Sequence, residues 1–327
     1  MPILEIKHLE TSFLTKKQRL DAIRDVSLRV EEKEVLGIVG ESGSGKSVTM
    51  KSVMGILPSN GVIRAGEILF EGQSLLKIND QDKRALLGNE ISMIFQDPMT
   101  SLNPLKTVGY HIEEILLRHR KVDKSTAHKL AKQVLDIVEI PNAEKRLTQY
   151  PHEFSGGMRQ RVMIGMALAN EPKLLIADEP TTALDVTIQS QILALIKKRQ
   201  HQNNMAVVLI THDLSVVYNM CDRIIVMYGG KIMEEGLREE IFDSPYKHPY
   251  TKALMLSIPN ITDDEKKRLV PIEGVAPTLE DLPEGCPFAP RCSQAMDICR
   301  EMPGETLFSD THKIYCHFAG GESTDEQ

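Results

Sequence analysis

The sequence predicts an α/β protein with a doubly wound sheet, and three observations carry that expectation. Short, continuously apolar runs recur at residues 35–39, 174–177 and 207–210, the texture of parallel strands buried on both faces. Stretches with a helical apolar period separate them. A glycine-rich loop follows the first run directly, where such sheets place a ligand-binding turn.

In chain order, residues 1 to about 95 read as strands and turns with two helices. Val26, Leu28 and Val30 alternate as a half-buried strand should, and residues 92–95 form a further short strand. From about residue 108 to 169 the pattern is helical, with Ile112, Ile115 and Leu116 on one face and Val134, Ile137 and Val138 on another. This stretch reads as an insertion into the sheet. Between the second and third apolar runs lies a helix with Ile188, Ile192, Leu195 and Ile196 on one stripe. After about Gly236, prolines at 245, 249, 259, 271, 277, 283, 287, 290 and 303 break regular structure, so a short helical link and a small irregular module are expected. The tail at residues 320–327 is polar and predicts disorder.

Composition narrows the class. Among 327 residues, 41% hydrophobic content is enough for sizeable cores, and a formal net charge of −7 argues against phosphate-backbone binding and hence against nucleic acid. No apolar run is long enough to span a bilayer, and the start Met-Pro-Ile-Leu-Glu-Ile-Lys lacks the basic and apolar regions of a signal peptide. The expectation is a cytosolic chain whose contact with a membrane comes through partners.

Gly40-Glu41-Ser42-Gly43-Ser44-Gly45-Lys46-Ser47 matches G-x-x-x-x-G-K-[ST]. Glycines let successive backbone N–H groups turn onto phosphate oxygens, and the following helix aims its positive end at the same anion. Lys46 supplies a charge for the β- and γ-phosphates, and Ser47 a hydroxyl for Mg²⁺. The strand at 174–177 runs into Asp178 and Glu179. Asp178 would hold Mg²⁺ through water, and Glu179 would polarise the attacking water. Taken alone, an apolar strand ending in two carboxylates is a weak signal; beside the phosphate loop it is a strong one. Phe154-Ser155-Gly156-Gly157-Met158-Arg159-Gln160-Arg161 opens a helix with Ser155 at its N-cap, and by itself is an ordinary capped helix start.

Phosphate loop, Gln96, Ser-Gly-Gly, Asp178-Glu179, Thr182-Ala183-Leu184-Asp185 and His212 follow one another in the order of the ABC ATPases, and the chain resembles that family over roughly residues 1–236. The resemblance implies a RecA-like P-loop core with an antiparallel β-subdomain and a helical subdomain at about 97–170. It also assigns roles. Ser155, Gly156 and Gly157 would bind the γ-phosphate of an ATP held by an opposing subunit. Gln96 would touch Mg²⁺ and report to the membrane domain, and His212 would contact the γ-phosphate and orient Glu179. Asp185 would lie on a loop crossing the dimer interface, and Phe13 would stack on adenine, though core packing explains a lone Phe equally well. Two departures, Phe154 in place of the commoner Leu and Met158 where Gln is usual, leave Ser155 and both glycines intact.

Phe95-Gln96-Asp97-Pro98-Met99-Thr100-Ser101-Leu102-Asn103-Pro104 and Ser244-Pro245-Tyr246-Lys247-His248-Pro249-Tyr250-Thr251 are similar to stretches of the dipeptide and oligopeptide permease ATPases, a subfamily that also serves nickel and other small solutes. That resemblance implies an ATPase at the cytoplasmic face of the membrane. Its partners would be a homologous ATPase subunit in a heterodimer, two transmembrane permease subunits and an extracytoplasmic substrate-binding protein. A soluble ABC ATPase outside transport is the rival reading, but such chains carry two cassettes or a long coiled-coil insertion.

Four of five cysteines, Cys286, Cys292, Cys299 and Cys316, fall in the module at 237–327, while Cys221 stands apart. In a cytosolic chain such clustering favours a metal over disulfides. The spacings lack the C-x₂-C knuckles of zinc ribbons, and the permease resemblance points to a [4Fe–4S] cluster. Zn²⁺, with His312 or His317 as substitute ligands, is the alternative, and four reduced thiols in a loose tail are the plainer one.

Overall fold

The computed structural model describes residues 1–96, 101–182, 184–257 and 272–318. The calls on residues 97–100, Ala183, Pro259, Pro271 and the tail at 320–327 lie outside them. The chain forms two compact units: Met1–Leu4, Val30–Val35 and Leu69–Ile210 make the first, and Glu5–Arg29, Leu36–Ile68 and Thr211–Gln327 the second.

In the first unit β6 (Ile91–Ile94), β7 (Leu174–Asp178) and β8 (Ala206–Thr211) pair in parallel, Ile91 with Leu174 and Leu174 with Ala206. Every residue of the three strands is buried, which is why their sequences read as unbroken apolar runs. The strand expected at 92–95 sits one residue earlier. Phe95 lies past its end and is exposed, so an apolar residue there marks the strand boundary rather than the core. The hairpin partner β5 (Gln73–Ser74) pairs antiparallel with the end of β4 (Gly61–Phe70), and α2 (Asp80–Leu86) follows with Asn79 as its N-cap.

The helical stretch comprises α3 (Val108–His119), α4 (Lys124–Ile137), α5 (Ala143–Leu147) and α6 (Gly156–Leu168). Thr107, Asp123 and Ser155 cap α3, α4 and α6, each accepting a backbone N–H three residues on. Ile112 and Leu116, Val134 and Leu135, and Val162 and Ile164 fill the core between these helices. Ile115 and Ile137 are only half-buried, so the buried stripe is narrower than the sequence pattern suggests. At Gly165 an added Cβ would lie 2.9 Å from Val134 Cγ1, so the absent side chain is what lets α4 and α6 approach. A long helix α7 (Val186–Asn203) buries Ile192, Leu195 and Ile196 and leaves Ile188 half-buried.

In the second unit β1 (Pro2–Leu14) lies between β2 (Arg19–Glu31) and β4. A second set of strands runs β3 (Val35–Val39), β9 (Arg223–Tyr228) and β10 (Lys231–Leu237), parallel between the first two and antiparallel between the last two. The helix α1 (Lys46–Met54) follows β3, and α8 (Leu214–Met220) precedes β9. The C-terminal region is less irregular than its prolines imply. After α9 (Arg238–Asp243) and α10 (Pro249–Leu256) come two short 3₁₀ turns, then a hairpin of β11 (Thr306–Leu307) and β12 (Lys313–Ile314). β12 extends the sheet by pairing with Glu234 and Glu235 of β10. The fully buried Glu234 carboxylate fastens the region by accepting the His248 backbone N–H at 2.8 Å and meeting His312 Nε2 at 2.9 Å.

Candidate functional site

The loop at residues 40–47 leaves β3 and enters α1. Gly40, Gly43 and Gly45 all have φ between +81° and +151°, and at Gly40 an added Cβ would stand 2.1 Å from the Met227 carbonyl oxygen. Only glycine fits that turn. Lys46 is almost fully buried, and its Nζ donates to the carbonyls of Gly40 (2.7 Å) and Glu41 (2.8 Å) and to Ser44 Oγ (3.2 Å). Ser42 and Gly43 are exposed and Ser47 is half-buried at the mouth of the helix. The α1 N-terminus takes no side-chain cap, so its first N–H groups are not claimed by one. Phe13 is half-buried on β1, its ring edge 3.2 Å from where a Cβ on Gly61 would sit. His212 is exposed immediately after β8, before Asp213 caps α8.

Within the first unit, four predicted residues gather at the end of β7. Asp178, the last residue of the strand, is 1% exposed. Glu179 takes a left-handed conformation (φ 46°), its backbone N–H donating to Ile210 O at 2.9 Å. Its Oε2 accepts hydrogen bonds from Gln96 Nε2 (2.9 Å) and Thr182 Oγ1 (2.8 Å). Two neutral donors hold the carboxylate while leaving it half-exposed, a disposition suited to taking a proton from water. Ser155 and Gly156 are exposed at the start of α6, where a side chain on Gly156 would meet nothing within 4 Å, leaving that backbone open to a ligand. Gln160, one turn on, donates to Pro180 O at 2.6 Å and ties α6 to the turn after Glu179. Asp185 caps α7 by accepting the Ile188 N–H at 2.9 Å.

Sequence reasoning missed how the C-terminal region meets the phosphate loop. The Glu41 N–H donates to Tyr250 Oη at 2.8 Å, and the Glu41 carboxylate takes a two-pronged contact from Arg291 at 2.6 and 3.3 Å. Neither partner lies in a recognised motif. The only signal was indirect: Tyr250 is the next-to-last residue of one of the permease-like stretches.

The four clustered cysteines do line one pocket, together with His248, Phe288 and His317. They do not converge as a metal's ligands, however. Among the described residues no group of three or more His, Cys, Asp or Glu side chains is disposed to hold an ion. Burial pushes the Cys286 thiol up to about 11 and raises Cys292 as well, so both favour the neutral thiol. The donor set still has the chemistry of a sulfur site. Backbone N–H groups of Phe288 and Ala289 reach Cys286, and that of Phe318 donates to Cys316 Sγ at 3.4 Å. His248, pushed by burial to about 3 and therefore neutral, accepts the Tyr250 N–H on Nδ1 and so carries its proton on Nε2. Among the described residues that buried Nε2 has no hydrogen-bond partner. Cys221 instead packs behind β3, its sulfur 2.9 Å from where a Cβ on Gly37 would lie.

Fold and loop together define a P-loop nucleotide-binding α/β protein. Residues 23–182 match the family model described as ABC transporter, and residues 233–299 match that of the oligopeptide/dipeptide transporter C-terminal region, whose span stops short of Cys316. The chain is 50% identical over 316 residues to the dipeptide transport ATP-binding protein of Bacillus subtilis (strain 168), covering 96% of this chain and 94% of that one. It is 51% identical over 314 residues to the oligopeptide transport ATP-binding protein of the same organism, covering 95% and 87%. A dimeric ATP-binding cassette solved in a post-hydrolysis state with ADP and phosphate superposes with a TM-score of 0.65 at 28% identity, covering 72% of this chain and 98% of that one. The chain belongs to the family of ABC transporter ATP-binding proteins, in the branch that holds the dipeptide and oligopeptide transport proteins. No helix among the described residues is long and apolar enough to cross a membrane.

Proposed function

We propose that this chain is the ATP-hydrolysing subunit of an importer that takes up dipeptides or oligopeptides, working at the cytoplasmic face of the membrane. The observation that carries the catalytic part is the Glu179 carboxylate, fixed at the end of a buried strand by Gln96 and Thr182. The printed names of the relatives support the peptide substrate. Residues 1–236 are read as the nucleotide-binding domain and 237–327 as a C-terminal module.

In this reading the N–H groups of residues 42–47 and the Lys46 ammonium bind the phosphates of ATP. Asp178 and Ser47 are the residues that would hold Mg²⁺, whose chemistry is to neutralise phosphate charge. Glu179 takes the proton of the attacking water, and His212 orients Glu179 and contacts the γ-phosphate. Phe13 stacks on the adenine. Ser155, Gly156 and Gly157 complete the site of a partner ATPase, and Asp185 lies at that interface. The partner is a homologous subunit, and Gln96 passes the closing motion to two permease subunits served by an extracytoplasmic binding protein. Purification from detergent membranes tests the assembly: the chain should emerge with a second ATPase and two membrane proteins. Recovery as a stable homodimer that alone couples fully to transport would refute the heterodimer.

Cys286, Cys292, Cys299 and Cys316 are read as holders of a [4Fe–4S] cluster, with Zn²⁺ as the alternative. The backbone N–H groups at the sulfurs and the His248 Nε2–H, unpartnered among the described residues, support an anionic sulfur group in that pocket. The group would tie together a module that has little apolar core of its own. Anaerobic purification followed by visible absorption and metal analysis tests it. A brown protein with four irons per chain supports the cluster, a colourless one with one zinc replaces it, and a metal-free protein that folds and transports normally removes the site.

A further inference from the structure

Glu41, the second residue of the phosphate loop, is held at three points. Its N–H is fixed on Tyr250 Oη, and its carboxylate is gripped by the Arg291 guanidinium. Its carbonyl accepts Lys46 Nζ at 2.8 Å. The first two contacts come from the C-terminal region; the third leads to the cation read as the phosphate contact. Arg291 is itself over-determined. Its side chain is 5% exposed, and besides Glu41 it donates to Tyr228 Oη (3.0 Å), Glu273 O (2.8 Å) and Ile272 O (3.3 Å). A buried, planar fork with five contacts has one position, so the group it holds has one position too.

The other side of this contact is equally fixed. Tyr250 is fully buried against Tyr228 and Phe288, with ring centroids 4.6 and 5.1 Å away. Phe288 and Cys292 flank the single 3₁₀ turn (Ala289–Arg291) that presents Arg291. A tight turn and an aromatic stack therefore deliver one donor, the Arg291 guanidinium, and one acceptor, Tyr250 Oη, to a single loop residue. No motif of the ATPase domain provides that service.

We infer that Arg291 and Tyr250 are positioning residues for ATP, through which the C-terminal module sets the conformation of the phosphate loop and the placement of Lys46. The inference rests on residues 40–47 being the phosphate site. Its consequence is that nucleotide affinity responds to the state of the C-terminal module. Any change that moves the turn beside Cys292 reaches Lys46 through one side chain.

The test is ATP titration of the full chain, as wild type, Arg291→Lys, Tyr250→Phe and Glu41→Gln. Thermal melts and amide exchange of residues 40–46 are followed alongside. Arg291→Lys keeps the charge but loses the fork, and Tyr250→Phe removes one hydroxyl from a ring whose packing stays, so at least one variant folds. Each should weaken ATP binding by about 3- to 10-fold and speed exchange in the loop. In the assembled transporter KM for ATP should rise while kcat at saturation stays within about twofold. Arg291→Lys combined with Glu41→Gln should be no worse than either alone, because both cut the same route. Folded Arg291→Lys and Tyr250→Phe proteins with wild-type affinity and loop exchange would overturn the inference. If instead wild type binds no ATP, or Lys46→Ala binds as wild type does, the reading of the loop itself fails.

Discussion

At the scale of single residues, binding and chemistry separate. In the proposed function Lys46 holds phosphate before reaction, whereas Glu179 acts on water only as the bond breaks. Lys46→Ala should therefore raise the dissociation constant of ATP by about 10- to 100-fold, the worth of a charge-assisted contact. Glu179→Gln should bind ATP as wild type does and lose about 10²- to 10⁴-fold in kcat. Parallel binding and turnover assays on the two variants read this directly, and near-normal turnover in Glu179→Gln would remove the assignment of the base. Residues of this kind were legible because the chemistry needs them at fixed spacing along a contiguous stretch. A loop that turns backbone N–H groups onto phosphate has little choice in where its glycines and lysine fall. Arg291 and Tyr250 were not legible. They reach Glu41 across 250 and 209 residues of sequence, and a contact at that separation leaves no local period or motif.

At the scale of elements, the helical stretch is held by close packing and by one charged junction. Gly165→Leu would thrust a side chain into Val134 and Val138, and should destabilise this region by about 1–3 kcal/mol, read as a lowered melting temperature or denaturant midpoint. His128 on α4 sits 2.7 Å from Glu113 of α3 and 3.3 Å from Glu144 of α5, and those hydrogen bonds raise its pKa above the ordinary histidine value. The folded state thus binds the proton more tightly than the unfolded chain. The stabilisation is complete below the unfolded pKa and is lost as pH rises through the raised folded value. Because the ring is substantially exposed, solvent screening keeps the effect small. Between pH 6 and pH 8 the melting temperature should fall by about a degree more in wild type than in His128→Ala. The helices and buried strands were readable from periodicity because each is long enough, or apolar enough, to show one. β11 and β12, two residues each, are too short to show any pattern; they exist because β10 offers an edge to pair with.

At the scale of the whole molecule, the proposed function gives this chain the supply of energy and leaves the choice of peptide to its partners. The family match gives the class, and in the proposed function Glu179 is the point at which hydrolysis can be stopped without disturbing binding. The most direct measurement is ATP hydrolysis by the complete transporter in proteoliposomes, with and without peptide-loaded binding protein. Wild type should show peptide-stimulated hydrolysis together with peptide uptake. Glu179→Gln should show neither while still retaining bound ATP. Hydrolysis and uptake that persist in Glu179→Gln, or hydrolysis by wild type that no peptide affects and no uptake accompanies, would contradict the account.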